Sequence, residues 1–322
     1  MPTSMKSSIK KQPMAASNTA AHSDSRRVFA PRNIRREAII NWSFVLPALL
    51  IYAFFVLVPL FLSIYYSFFK WNGVGPMTWV GLKNYLTIFQ FPNLFGSIIN
   101  AFKLIVWFSF IPVSLGLIVA SIINRVATGR LGAIARTIIF LPQVIPLVAA
   151  GIIWGWLLAK SGLINEILDL VGLSVVTRAW LGDFTWALPA VGMIGVWVLL
   201  GFCTVLLLTG MSKIDPALYE SARIDGAGWF SEFVNVTVPL LKQEIGVCLT
   251  VTMINALAAF DIVWVATAGG PGNATSVPGI QIYVLGFSQR SIGLASALAV
   301  MLMILVLVII LPIQRFSRQT PQ

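Results

Sequence analysis

The chain has 322 residues, 58% of them hydrophobic and only 10% charged, with a mean hydropathy of +0.88. A soluble globular domain carries roughly 25% charged residues, so this composition excludes a water-compatible surface and places the chain in a bilayer. The formal net charge of +11 does not mark a nucleic-acid binder, because the basic residues punctuate apolar stretches instead of gathering with aromatics on one face.

In chain order, residues 1–40 read as a basic cytoplasmic tail, rich at first in Ser, Ala, Lys and Pro without helical periodicity and therefore disordered. The single histidine, His22, has only Asp24 near it in sequence. Neither a metal site nor a histidine-centred catalytic triad is supported.

Six apolar stretches long enough to cross roughly 30 Å of hydrocarbon follow, at 42–69, 98–123, 137–159, 186–210, 243–268 and 291–314. The first is led by Trp42 and closed by Trp71, an interfacial aromatic pattern, and is too far in and too long for a cleavable signal core. This divides the chain into the tail, a first transmembrane helix with an outer segment (41–97), a five-helix transmembrane domain (98–314) containing a loop at 212–240, and a second cytoplasmic tail (315–322).

Orientation follows from the cations, which cytoplasmic loops retain. With the amino terminus inside, the cytoplasmic side collects the tail cations from Lys6 to Arg36 together with Arg125, Arg130, Arg136, Lys213, Arg223, Lys242, Arg315 and Arg318. Only Lys70, Lys83, Lys103, Lys160, Arg178 and Arg290 fall outside or near the outer face. An even number of spans then puts both termini in the cytoplasm. Between the third and fourth spans, Leu163, Ile164, Ile167, Leu168 and Val171 have the spacing of a short amphipathic helix on the outer surface. Cys203 and Cys248 lie in apolar stretches and read as small core residues.

The stretch from Lys213 to Leu241, between the fourth and fifth spans, is explicit in its local physics. Asp215 is a good helix N-cap and Pro216 suits the first helical position, where no amide donor is needed. The helix should run to about Ile224 and stop at Asp225-Gly226, because Gly adopts the left-handed conformation that ends a helix. A second amphipathic piece carries Trp229, Phe230, Phe233 and Val234, and Pro239 then opens the fifth span. On physics alone this is either a loop that reverses the chain or an elbow for docking.

Glu220, Ala222, Asp225, Gly226, Ala227 and Pro239, at their spacing, closely resemble the EAA loop of permeases from type I ABC importers, with Ser221 standing where that family name implies Ala. The resemblance implies an all-α membrane protein with six transmembrane helices and a cytoplasmic coupling helix that seats in a cleft of a separate ATPase. Glu220 would supply a charged contact, Gly226 the bend, and Trp229 and Phe230 the anchor. It also implies a heterodimer with a second permease, two ATPase subunits that bind ATP and Mg, an extracytoplasmic solute-binding protein, and a place among the lipids of the bacterial inner membrane. This chain itself would have no catalytic residues, cofactor or metal, and it contains no G-x-x-x-x-G-K-[ST] phosphate loop.

A second resemblance concerns the run Ala259 to Thr275, then Ile282-Tyr283, Phe287 and Gly293 to Ala297, with Trp79 to Tyr85 upstream. These look like the maltose-type branch, which implies a sugar, oligosaccharide or sugar-like solute. The Gly269-Gly270-Pro271-Gly272 turn reads as a helix stop at the membrane surface and not as a phosphate cradle, since it contains Pro and no following Lys.

On the fifth span Thr252, Asn255, Ala256 and Ala259 share one helical face, and an amide and a hydroxyl facing lipid would be costly, so that face lines a cavity or another helix. Solute contact and helix packing both remain open for Thr252 and Asn255. Phe202 matches a position that lines the pocket in maltose-type relatives, and Trp197 joins it by proximity. Asp261 belongs to the branch's Phe-Asp pattern and reads as a structural pairing near the outer gate. Trp154 and Trp156 read as packing or interfacial anchors. An ion-coupled secondary transporter would want several intramembrane carboxylates or broken helices in matched halves. A membrane enzyme would want a catalytic cluster. A permease for amino acids, phosphate or metal shares the coupling loop and is the nearest alternative.

Overall fold

A computed structural model describes residues 34–126 and 129–317. The tail cations from Lys6 to Arg32, His22 and Arg318 lie outside the described residues. The tail expected over 1–40 is already helical from Ile34, where α1 (Ile34–Tyr52) begins. Pro47 lies within that helix.

The chain divides into two compact units, 1–55 and 56–322. In the first, Phe44, Phe54 and Phe55 are all exposed, as lipid-facing residues of a span are. The second unit opens with α2 (Val58–Tyr66), which ends the 25-residue apolar run Trp42–Tyr66. A short hairpin follows, β1 (Phe69–Lys70) antiparallel to β2 (Thr78–Trp79), with Phe69 opposite Trp79. The predicted span end at 69 therefore falls in this hairpin.

After α3 (Lys83–Gln90), Pro92 opens α4 (Pro92–Ile105), which continues through a π-helical turn, Val106–Phe110, into α5 (Ile111–Val126). This second apolar span begins at Pro92, before the boundary expected at 98, because Pro is accommodated where the first amides need no partner. The third span is not one rod. It is α6 (Gly129–Val144) and α7 (Leu147–Leu157), which meet at 96°. Pro146 supplies no amide and pushes Ile145 out of the helical region, so the helix breaks between them.

The loop after α7 contains the expected short helix, α8 (Leu163–Leu170). Its one buried residue, Asn165, organises the loop. The Asn165 Nδ2 donates to the carbonyls of Ala159, Lys160 and Arg178, while Oδ1 accepts from the Trp180 indole at 2.9 Å.

The centre of the bundle is α9 (Ala187–Met211). Its glycines let neighbours come close, as small residues do in membranes. A Cβ at Gly192 or Gly195 would overlap the Trp107 or Phe108 ring, and one at Gly201 would strike the Ile139 carbonyl of α6. Cys203 and Cys248 are free and buried, as expected.

Below α9 come α10 (Pro216–Ile224), α11 (Trp229–Glu232), a π-helical turn, Phe233–Thr237, and α12 (Val238–Leu240). The chain then turns by 73° into α13 (Lys242–Leu257). The fifth span, expected as one helix over 243–268, stops at Leu257 and restarts as α14 (Asp261–Thr267). A short α15 (Pro278–Tyr283) precedes the long α16 (Ile292–Ser317). The break at 258–260 is tolerated because its freed backbone lines a cavity and does not face lipid.

Among the described residues four helices are long and apolar enough to cross a membrane, and with each of the two bent pairs counted as one span the number is six. The ends that carry Arg125, Lys213 and Lys242 are joined by ion pairs, and Ser317 donates to the Gln243 carbonyl. These ends therefore share one face of the molecule. The 26-residue α16 rises about 39 Å from it, which puts Ile292 at the opposite face.

Candidate functional site

The elbow begins where α9 ends. Asp215 Oδ1 accepts from the Ala217 amide at 2.9 Å, Pro216 occupies the first turn, and α10 runs to Ile224. Its end is closed by three amides: Asp225, Gly226 and Ala227 donate to Ser221, Arg223 and Ala222 carbonyls. Gly226 takes φ +84°, the left-handed value that only Gly adopts cheaply. A Cβ there would meet no other atom within 4 Å. Glu220, Ser221, Asp225 and Gly226 are exposed, and Ala222 and Ala227 are half-buried. Leu218 and Ile224 are exposed too, Ile224 by 86%. Pro239 lies in α12, ahead of the 73° turn, and so does not open the fifth span as expected.

The elbow is tied to the spans by a residue that the sequence did not reveal. Glu232 is 5% exposed. Its carboxylate accepts from Arg223 Nε of α10 at 2.8 Å and lies 3.9 Å from Arg125 Nη1 of α5. The hydrogen bond and charge of Glu232 push the Arg223 guanidinium above its ordinary value, keeping it charged. Tyr219 and Thr237 hydroxyls meet at 3.1 Å, and Trp229 stacks on Phe233. Lys213 and Glu244 pair at 3.7 Å, in space left by Gly210. No helical spacing links Arg223 with Glu232, nine residues on, so no periodicity could have found the brace.

The second region lies at the break in the fifth span. A cavity of about 110 Å³ is lined by Phe108, Gly195 and Leu199 on one side and by Asn255, Ala259 and Asp261 on the other. The Asn255 amide nitrogen donates to the Val251 carbonyl within its own helix at 2.9 Å, and the residue lines the cavity. The predicted face divides here. Thr252 is fully buried and shares a 2.7 Å hydrogen bond with Ser109, and Ala256 is in the core. Asn255 and Ala259 reach the cavity, whereas Phe202 packs beside Cys203 and Leu207 outside its lining. Trp197 meets Trp154 edge to face at 5.6 Å, a packing contact. Asp261 starts α14, where a carboxylate suits the helix dipole. The pairing expected of it is not found, for it has no cation partner among the described residues.

The family model for the binding-protein-dependent transport system inner membrane component matches residues 112–318, more than half of the chain. The chain belongs to this family. The permease is 35% identical over 275 residues to the trehalose/maltose transport system permease protein MalF of Thermococcus litoralis, covering 83% of this chain and 89% of that protein. It is 33% identical over 270 residues to the ABC transporter permease protein YurN of Bacillus subtilis (strain 168), covering 83% and 92%. In fold it is similar to a chain of a bacterial alginate ABC transporter in complex with an alginate pentasaccharide-bound periplasmic protein. That match has a TM-score of 0.74 at 24% identity and covers 89% of this chain and 96% of the other. The permease is thus a membrane-embedded transport subunit of an ABC importer with the type I permease fold.

Proposed function

We propose that this permease carries a sugar, an oligosaccharide or a sugar-like solute, and that a separate ATPase drives it through the elbow. The carrying observation is α10 itself: capped at both ends, exposed along Glu220, Ser221, Asp225 and Gly226, and braced to α5 through Glu232. An exposed rigid lever is what a motor bound from outside needs in order to rock one group of spans against another. In this reading two ATPase subunits bind ATP and Mg, and their cleft receives α10, with Ala222 and Ala227 allowing close approach and Pro239 setting the turn back towards the bilayer. The positive face that carries the elbow is then cytoplasmic, and both termini lie on that side.

The solute class is supported by the likeness to the trehalose/maltose permease and by the Asn255 amide beside small and aromatic residues. Sugars are held by such placed polar groups among apolar walls. The cavity of about 110 Å³ is below the roughly 300–1,000 Å³ usual for small-molecule sites. A second permease of similar fold supplies the opposite wall, and a solute-binding protein delivers the solute from outside. Thr252, Ala256 and Phe202 act behind the wall, and Asn255 and Ala259 at it.

The test is uptake by the complete importer reconstituted in vesicles, with a panel of radiolabelled sugars and amino acids. Sugar uptake that needs ATP and the ATPase is expected. Uptake of an amino acid and of no sugar overturns the solute class, and uptake without any ATPase overturns the coupling.

A further inference from the structure

At the face opposite the elbow, the hairpin, α3 and the start of α16 border an open pocket of about 630 Å³ to whose residues the proposed function assigns no role. Lys70, Lys83 and Arg290 line it together with Asn72, Asn84 and Thr87. None of the three cations has an ion-pair partner among the described residues. None is available nearby in sequence either, since no Asp or Glu occurs from 38 to 165 or from 262 to 322.

The pocket is built and not left over. The Asn84 side chain, 9% exposed, donates to the Ser67 and Phe69 carbonyls at 2.8 and 2.9 Å. The Gly293 amide donates to the Trp71 carbonyl, and a Cβ at Gly293 would strike the Phe69 carbonyl, so the hairpin is held against α16. Arg290 sits at φ +52°, a left-handed value uncommon for a long side chain.

What surrounds the pocket selects its occupant. Trp79, Leu82, Leu86 and Phe89 do not line it, but on the outer faces of the same hairpin and α3, where the acyl chains of a lipid seated by its phosphate would run, they are each about 60% exposed. The surface of a water-soluble acidic partner would leave such apolar groups wet, whereas acyl chains cover them. An exposed Trp such as Trp79 is expected at the headgroup level of a bilayer.

We propose that this pocket binds the headgroup phosphate of an anionic phospholipid of the phosphatidylglycerol type, with Lys70, Lys83 and Arg290 as its ligands. The three cations then meet the charge that the chain itself does not provide, and the bound lipid pins the hairpin and α16 at the outer surface.

The test uses the full-length permease in its complex, in detergent, with lipid retention read by native mass spectrometry. Wild type should retain phosphatidylglycerol in preference to phosphatidylcholine, and the preference should fall about fivefold for each cation removed, vanishing in the triple variant Lys70→Gln, Lys83→Gln, Arg290→Gln. Equal melting temperatures in phosphatidylcholine discs separate this from misfolding. Should the triple variant not assemble, Lys83→Gln alone carries the same expected loss. Equal retention of both lipids by wild type, or an unchanged preference in the variants, overturns the proposal. Displacement of the lipid by inorganic phosphate marks a simple anion site and overturns it too. So does weaker capture of a solute-binding protein by the variants with lipid preference intact.

Discussion

A carboxylate almost sealed from water at the end of a span persists only if cations hold it, because an unpaired buried charge is costly. Glu232 has two, Arg223 on α10 and Arg125 on α5, each about half exposed. The raised Arg223 value means that its charge is kept below the ordinary arginine range and lost only above it, so across physiological pH the brace does not titrate at that end. Glu232→Gln keeps the shape and removes the charge. It should lower solute-stimulated ATPase activity about tenfold, within the usual range of coupling energies, with membrane insertion intact. Stimulation equal to wild type would remove the brace from the coupling path. Asn255 poses the opposite case, a polar residue that lines a cavity. Asn255→Ala should raise the half-saturating solute concentration by about tenfold, the worth of one well-placed polar contact, with little change in thermal stability. An unchanged response across the sugar panel would make it a packing residue.

At the scale of elements, the elbow was legible because everything that shapes it is local: a cap, a proline, a left-handed glycine. Gly226 has open space around it, so substitution there costs only the backbone strain of about 1–2 kcal/mol. Gly226→Trp should therefore leave the permease folded in the membrane and, on the proposed coupling role of the elbow, abolish uptake by obstructing the ATPase proposed to seat there. Normal uptake would dissociate this turn from coupling. The fifth span was not legible in the same way. Its run from 243 to 268 is apolar throughout, and the stop at Leu257 depends on what the freed backbone meets across the bundle. In the third span Pro146 was visible, yet the 96° bend it allows was read as a straight crossing.

For the whole molecule, α9 is the strut against which α5 and α6 are fitted, and its glycines set how near they come. Gly201→Leu should force α6 away from α9, since its Cβ has no room against the Ile139 carbonyl. Overpacking of this kind costs about 1–3 kcal/mol, which should appear as a lowered melting temperature in detergent and reduced yield. Stability equal to wild type would mean that α6 is less tightly seated than its backbone contact implies. The two ends of the bundle differ in charge logic as well. One pairs Arg125, Arg223 and Lys213 with Glu232 and Glu244, and the other gathers Lys70, Lys83 and Arg290 without a carboxylate.

Composition alone committed this chain to a membrane, and capping, proline and glycine signals within a few residues determined the elbow helix almost to its ends. Those effects act between neighbours along the chain, so they need no fold to express them. Only the tertiary structure decided that Thr252 would meet Ser109, 143 residues away, that Asn255 would be left to the cavity, and that Glu232 would join α5 to α10. Each of these depends on which distant backbone or side chain satisfies a polar group in a medium without water. That partner is chosen by how the helices pack, and no local pattern encodes it.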